Sequence, residues 1–405
     1  MRKFVRWLVR ISLVLFVLLG GAALWKRDDL TRLYHVNTLF DEGNIVSNFS
    51  SMNDLFFNVD VKRSGPVTAL ADVKREIAQT YQWDGKTKSV QDWLDITKTT
   101  SLVVMRDGVI AHESYLMGTK PEDKRISWSM AKSFLSAMFG TVVADGRIKS
   151  LDDTVDAYVP RLKGTVYEGV TVRNVLRMSS GVKFDEDYEA FDSDINRMGR
   201  VLALGGSMDD FAAGLEARER EQGTVRQYTS IDTHILGMVL RAVTGKDLPA
   251  LMEETLWSKL GAEDDAIYLT DGYGVAFALG GLNMRSRDYA RFGQMMLDGG
   301  RSDGRQIIPA DWVNESTAAS APPAAKTADK MGYGYQWWVP PNANGEFFAI
   351  GIYGQYIYVN RPQRTVIVKT SAHRDFDNDG AGGSLVEQEN IEVFRAIASG
   401  LGGHG

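Results

Sequence analysis

The sequence contains no cysteine. That excludes disulfides, a thiolate nucleophile, Cys-ligated zinc and a lipoprotein-type cysteine anchor. Histidine is scarce. His35, His112, His234, His373 and His404 are scattered and show no HExxH or other metal-ligand spacing. No metal and no other cofactor is therefore expected. Net charge is -6 and no basic stripe lies beyond the N-terminus, which argues against a nucleic-acid partner. The chain has no internal repeat and no low-complexity segment. It has one long apolar run, at the N-terminus.

There, Arg2, Lys3, Arg6 and Arg10 precede uncharged residues from Ile11 to Trp25, and Lys26 and Arg27 end the run. Counting Trp7–Val9, with Arg10 snorkelling toward head groups, lengthens the span. The flanking cations should stay in the cytoplasm and place the rest of the chain outside. No A-x-A cleavage pattern precedes Trp25, so residues 1–27 read as an uncleaved membrane anchor. A cleaved export signal is the alternative.

Residues 28–85 read as an N-terminal extension. Tyr34–Phe40 and Ile45–Phe57 look like an extended segment packed on the main body. Residues 86–405 form the main domain. Val90–Thr97 is predicted to be a short helix. Ser101–Arg106 and Gly108–Tyr115 read as a hairpin turned at Asp107-Gly108. Ala131, Phe134, Leu135, Met138, Phe139 and Val142 recur at helical spacing within a Ser127–Asp145 helix ended by Gly146. Helical patterns dominate about 146–300: Val172–Met178, Ile231–Val243, Leu248–Leu260 and Ser286–Leu297. Strands return at Tyr333–Val339, Phe347–Ile352, Gln355–Asn360 and Thr365–Thr370, before a final helix at Ile391–Ala398. The economical fold is α+β. One antiparallel sheet flanked by helices is built from both chain ends, with an inserted all-helical lobe and a cleft between the two.

Three short patterns could carry chemistry. Ser129-Met130-Ala131-Lys132 starts the first strong helix. Residues three apart share a helix face, so the amine can reach the hydroxyl. The helix N-terminus favours developing negative charge. The lysine serves as a base only if burial or a nearby cation depresses its pKa. S-x-x-K alone occurs by chance in most long chains. Tyr228-Thr229-Ser230 precedes another helix, and its phenol near a lysine could shuttle protons; alone, it would be a packing residue. Ala349-Ile350-Gly351-Ile352-Tyr353-Gly354-Gln355 places two glycines on a strand, suited to close approach of a ligand, or simply a bulge. A backbone N–H there could pair with that of Ser129 as an oxyanion hole. A fourth pattern, Asp375-Phe376-Asp377-Asn378-Asp379-Gly380, imitates a calcium loop. Its twelfth position is Val386 rather than glutamate, so it reads as a solvated acidic loop.

The order and roughly hundred-residue spacing of the first three motifs resemble the penicillin-binding, serine β-lactamase-like superfamily. Thr171–Gly181, Ser286–Gly293, Ile308–Trp312 and Gly332–Trp338 are similar to further segments of that family, so the resemblance runs from about Trp93 to the end. Tyr228-x-Ser230 and Gly351–Gln355 look closest to its class C β-lactamase-like esterases and amidases, especially the 6-aminohexanoate-dimer hydrolase type. The resemblance implies Ser129 as nucleophile, Lys132 as base and Tyr228 as proton shuttle. It implies backbone N–H groups of Ser129 and Ile352 as the oxyanion hole. Tyr188 falls where that branch places a substrate-covering tyrosine, and Ser230, Gly351, Tyr353 and Gln355 are expected at the substrate. Two departures stand out. The K-T-G position reads Ala349-Ile350-Gly351, without the cation that would hold a β-lactam carboxylate. The asparagine of Y-x-N is Ser230.

The resulting expectation is a serine hydrolase acting on a small ester or amide. The alternatives are a peptidoglycan-directed D-amino-acid peptidase or penicillin-binding protein, and a non-catalytic member of the fold. The missing cation weighs against the peptidase. The intact serine, lysine and tyrosine weigh against the non-catalytic member.

Overall fold

The computed structural model describes residues 2–326, 330–376 and 384–401. Asp377–Gly380 of the calcium-like pattern, and His404, lie outside them.

The N-terminal half carries strands β1 (Asn58–Val61), β2 (Thr80–Trp83), β3 (Lys86–Ser89), β4 (Thr99–Arg106), β5 (Val109–Tyr115) and β6 (Arg125–Ile126). The middle adds β7 (Ala266–Leu269), β8 (Leu282–Met284), β9 (Arg301–Ser302) and β10 (Arg305–Gln306). The C-terminal part adds β11 (Gly332–Tyr333), β12 (Trp338–Val339), β13 (Glu346–Gly351), β14 (Gln355–Asn360) and β15 (Thr365–Ser371). The main sheet runs β11-β12-β13-β14-β15-β4-β5 and is antiparallel throughout. The hairpin expected around Asp107 is its β4–β5 edge.

Strands β4, β14 and β15 are buried almost end to end, because both sheet faces are covered. Successive side chains of β4 enter different cores, as a period of two requires. Val103 and Met105 join the core shared with the helices Ala131–Ala144 and Ser286–Leu297. Leu102 and Val104 join one with Trp93 and the helix Ser384–Gly400. In the latter, Phe394 lies edge-on to Trp93 at 5.6 Å and stacks on Tyr358 at 5.5 Å.

A second sheet, β1-β7-β8-β6, draws β1 from the stretch read as an extension and β7 and β8 from the stretch read as helical. Its strands are two to four residues long, too short to display a period. β7 and β8 thus interrupt the helical stretch at about 146–300. The helices Val172–Leu176, Asp194–Ala203, Met208–Ala213 and Ser230–Thr244 occupy its earlier part.

The extension corrects one expectation. Tyr34–Phe40 and Ile45–Phe57 are not extended. The chain forms helices at Arg27–Thr38, Ile45–Asn48 and Met52–Leu55. Ile45, Phe49, Met52 and Phe56 are buried at spacings of four, three and four, which is a helical rather than a strand period. Ahead of them, Arg2–Trp25 is a single helix. Its Phe4–Gly21 segment is exposed and, by length and composition, apolar enough to cross a membrane or serve as an export signal.

Candidate active site

The Ser129–Lys132 motif hangs from the second sheet. Ile126 in β6 pairs with Asn283, and the Ser127 N–H donates to Leu282 O at 2.7 Å. The chain then makes a single 3-10 turn, Trp128–Met130, that runs directly into the helix Ala131–Ala144. Trp128 has φ +43°, a conformation that bulky side chains avoid, so the turn presenting Ser129 is held by its surroundings.

Lys132 sits one helical turn on and is 1% exposed. Its Nζ lies 2.8 Å from Ser129 Oγ, 3.0 Å from Leu279 O and 3.3 Å from Ser230 Oγ. The Tyr228 ring is 5.0 Å away. Burial lowers the lysine pKa to about 7, with the Glu186 carboxylate acting in the opposite direction. A neutral amine has two hydrogens and one lone pair. Leu279 O and Ser230 Oγ can take the hydrogens, which leaves the lone pair for the Ser129 proton.

Burial also pushes the Tyr228 phenol far above its ordinary range, while hydrogen bonding with Ser129 and Ser230 opposes the rise. Tyr228 therefore keeps its proton at neutral pH. The pair is differentiated: the lysine can accept a proton and the tyrosine can donate one. Tyr228 is held between Trp338, stacked at 5.3 Å, and Tyr333, edge-on at 6.3 Å.

The end of β13 closes the other side. A Cβ on Gly351 would lie 2.4 Å from Ser127 O and 3.2 Å from Ser129 N, so the strand rests directly on the Ser129 turn. Ile352 is half-buried at this point and Tyr353 follows with φ +61°. At the K-T-G position, Ala349 is buried and pairs with Ile357. Tyr188 also reaches the site; its hydroxyl donates to Glu186 Oε2 at 3.0 Å, and its ring lies 6.2 Å from Phe376.

Two residues expected at the substrate are bonded within the protein. Ser230 is fully buried, and its hydroxyl bridges Lys132 and Glu186, so it serves the lysine. Gln355 is fully buried as well. Its Nε2 donates to Ile352 O, Tyr353 O and Ser371 O, and its Oε1 accepts from Ser371 N, so it braces the Gly351–Gln355 turn.

Glu186 is the residue that sequence reasoning missed. Its carboxylate accepts from the Ser230 N–H and from Ser230 Oγ at 3.2 Å. Burial raises its pKa, while the nearby lysine lowers it. Its acidic neighbours Asp185, Asp187 and Glu189 are all exposed, and nothing in their order singles out the one that turns inward. Leu279 O, a backbone acceptor, has no sequence signal at all.

Residues 97–387 match the Beta-lactamase family model. The chain is 31% identical to the 6-aminohexanoate-dimer hydrolase of Paenarthrobacter ureafaciens over 81% of its length and 86% of that protein. A Bacillus anthracis protein assigned as a 6-aminohexanoate-dimer hydrolase superposes with a TM-score of 0.77 at 26% identity, covering 89% of this chain and 95% of that one. A class C β-lactamase mutant superposes with a TM-score of 0.54 at 16% identity, covering 74% and 95%. The α+β architecture thus has its counterpart in a known lineage, and this chain belongs to the β-lactamase family as a hydrolase of that fold.

Proposed function

We propose that the chain cleaves a small ester or amide through an acyl-enzyme on Ser129. The observation that carries this reading is the buried Lys132 Nζ at 2.8 Å from Ser129 Oγ, with its pKa brought to about 7. Ser129 Oγ attacks the carbonyl carbon as Lys132 takes its proton. The oxyanion is received by the N–H groups of Ser129 and Ile352, which lie where the β13 end meets the nucleophile turn. Tyr228 donates its proton to the leaving oxygen or nitrogen, and Lys132 restores it. A water then adds to the acyl carbon with Lys132 again as base, and Ser129 departs as the hydroxyl. The relative named for a dimer hydrolase supports an amide or ester substrate over a β-lactam. So does Ala349, which supplies no cation for a β-lactam carboxylate.

Labelling tests this. A fluorophosphonate is expected to add to Ser129 alone, as read by peptide mass, and wild type should turn over p-nitrophenyl esters or small amides. An unlabelled Ser129 together with inactivity across the panel would defeat the proposal. Acylation by a penicillin analogue alone would transfer it to the peptidase reading.

The Arg2–Trp25 helix is proposed to anchor the catalytic domain to a membrane, on the side away from the cytoplasm. Fractionation is expected to find the full-length protein in the membrane pellet, released by detergent and not by salt. A soluble mature form beginning after residue 25 would show cleavage instead.

A further inference from the structure

Two residues beside the reacting atoms have left-handed backbone conformations that side chains disfavour: Trp128 at φ +43° and Tyr353 at φ +61°. Trp128 immediately precedes Ser129, and Tyr353 immediately follows Ile352. They therefore flank the two N–H groups that the proposed function assigns to the oxyanion. Strain of this kind persists only where neighbours over-determine it.

Phe376 lies edge-on to Tyr353 at 5.1 Å, and the N-terminal segment supplies the two rings that reach both residues. Phe40 stacks on Tyr353 at 4.7 Å and lies 5.8 Å from Trp128. Phe49 meets Trp128 at 5.5 Å and Tyr353 at 5.6 Å, both edge-on, and the two phenylalanines touch each other at 6.2 Å. Every ring of the four contacts the other three, since Trp128 and Tyr353 are themselves 6.0 Å apart. The segment is independently tied to the strand that leads into the nucleophile. Phe49 O accepts from the Ile126 N–H at 3.0 Å, and the buried Arg125 donates to Val46 O and Ser50 Oγ. On its other side the Gly351–Gln355 turn is braced by the Gln355 amide. The turn that carries Ile352 is thus clamped between that amide and rings lying some 80 to 90 residues ahead of Ser129.

We propose that Phe40 and Phe49 are positioning residues for the oxyanion hole. They fix Trp128 and Tyr353 in left-handed conformations, and with them the separation of the Ser129 and Ile352 N–H groups. The segment between the apolar helix and the main domain is then part of the acyl-transfer machinery and not a tether. This rests on the acyl-enzyme reading and goes beyond it by assigning work to a region outside the segment matched to the family model.

The full-length chain carries the test. Phe40 is only half-buried, so Phe40→Ala is the variant of choice, with Phe40→Tyr as the conservative control and Phe40→Leu in case the alanine fails to fold. On a p-nitrophenyl ester, Phe40→Ala is expected to lower kcat by about ten- to a hundredfold with KM nearly unchanged, as small displacements at a reacting centre do. An aryl boronic acid, which forms a tetrahedral adduct on the serine, should lose affinity by a similar factor. Phe40→Tyr should restore both. A folded Phe40→Ala or Phe40→Leu with wild-type kcat and boronate affinity overturns the proposal. So does a loss confined to KM. If fluorophosphonate labels Ser129 of wild type and of the variant at equal rates, the positioning role fails while the acyl-enzyme reading stands. If wild type is not labelled, the parent reading has failed first.

Discussion

Ser129→Ala and Lys132→Met, made singly and together, are expected to cost nearly the same in kcat/KM. Removing a general base costs on the order of 10²- to 10⁴-fold. Removing the nucleophile leaves only the background that binding and the oxyanion donors sustain. The two act on one proton, so the double variant should be no worse than the poorer single. Independent, multiplying losses would sink the assignment of Lys132 as base. Methionine fills most of the lysine's volume, but it leaves Leu279 O without its 3.0 Å donor, a cost of about 1–3 kcal/mol. Thermal unfolding of the variant should register that cost.

The pH profile sharpens the test. Lys132 accepts a proton only when neutral, and its neutral fraction grows as pH rises through its pKa. With that pKa at about 7, kcat/KM should climb below neutrality and level off above it. A lysine at its ordinary 10.5 would still be climbing at pH 9. Because the Glu186 charge raises the lysine pKa, Glu186→Gln should move the limb to lower pH. A limb that stays put, or moves upward, contradicts that coupling.

Gly351→Ala is expected to damage turnover and stability together. The added Cβ would meet Ser127 O at 2.4 Å and Ser129 N at 3.2 Å. Both contacts are backbone, so no side-chain rotation relieves them, and either the β13 end or the nucleophile turn must shift. Overpacking of this kind costs about 1–3 kcal/mol. The displacement separates the two proposed oxyanion donors, and losing one such donor costs about 10²- to 10³-fold in kcat. The variant should fold, melt earlier and turn over at about a hundredth of the wild-type rate or less. Wild-type kcat in a folded Gly351→Ala would remove the β13 end from the site.

What could be read in the sequence followed the range over which each signal operates. Ser129 and Lys132 are neighbours on one turn, so their contact was legible from spacing alone. Strands β13, β14 and β15 are six or seven residues long, enough for apolar patterning to show. Strands β6 and β8, which hold the Ser129 turn, are two and three residues long and display nothing. Glu186 and Ser230 meet across 44 positions, and no local pattern selects that glutamate from its acidic neighbours. Gln355 bonds within its own turn, and a polar side chain beside a glycine-rich strand end carries no sign of whether it faces inward or outward. In the N-terminal segment the helices Ile45–Asn48 and Met52–Leu55 are four residues each, one turn apiece, so neither displays a period on its own.

The pairing of β15 with β4 bears on how the molecule comes into being. Thr365 lies opposite Arg106, so the centre of the main sheet cannot zip until the chain has been made through β15, some 260 residues after β4. Non-local closures of this kind are slow, and they leave unpaired strand edges exposed until they are made. A nascent chain in that condition remains threadable through a translocation pore. It is also vulnerable to self-association if that closure is delayed.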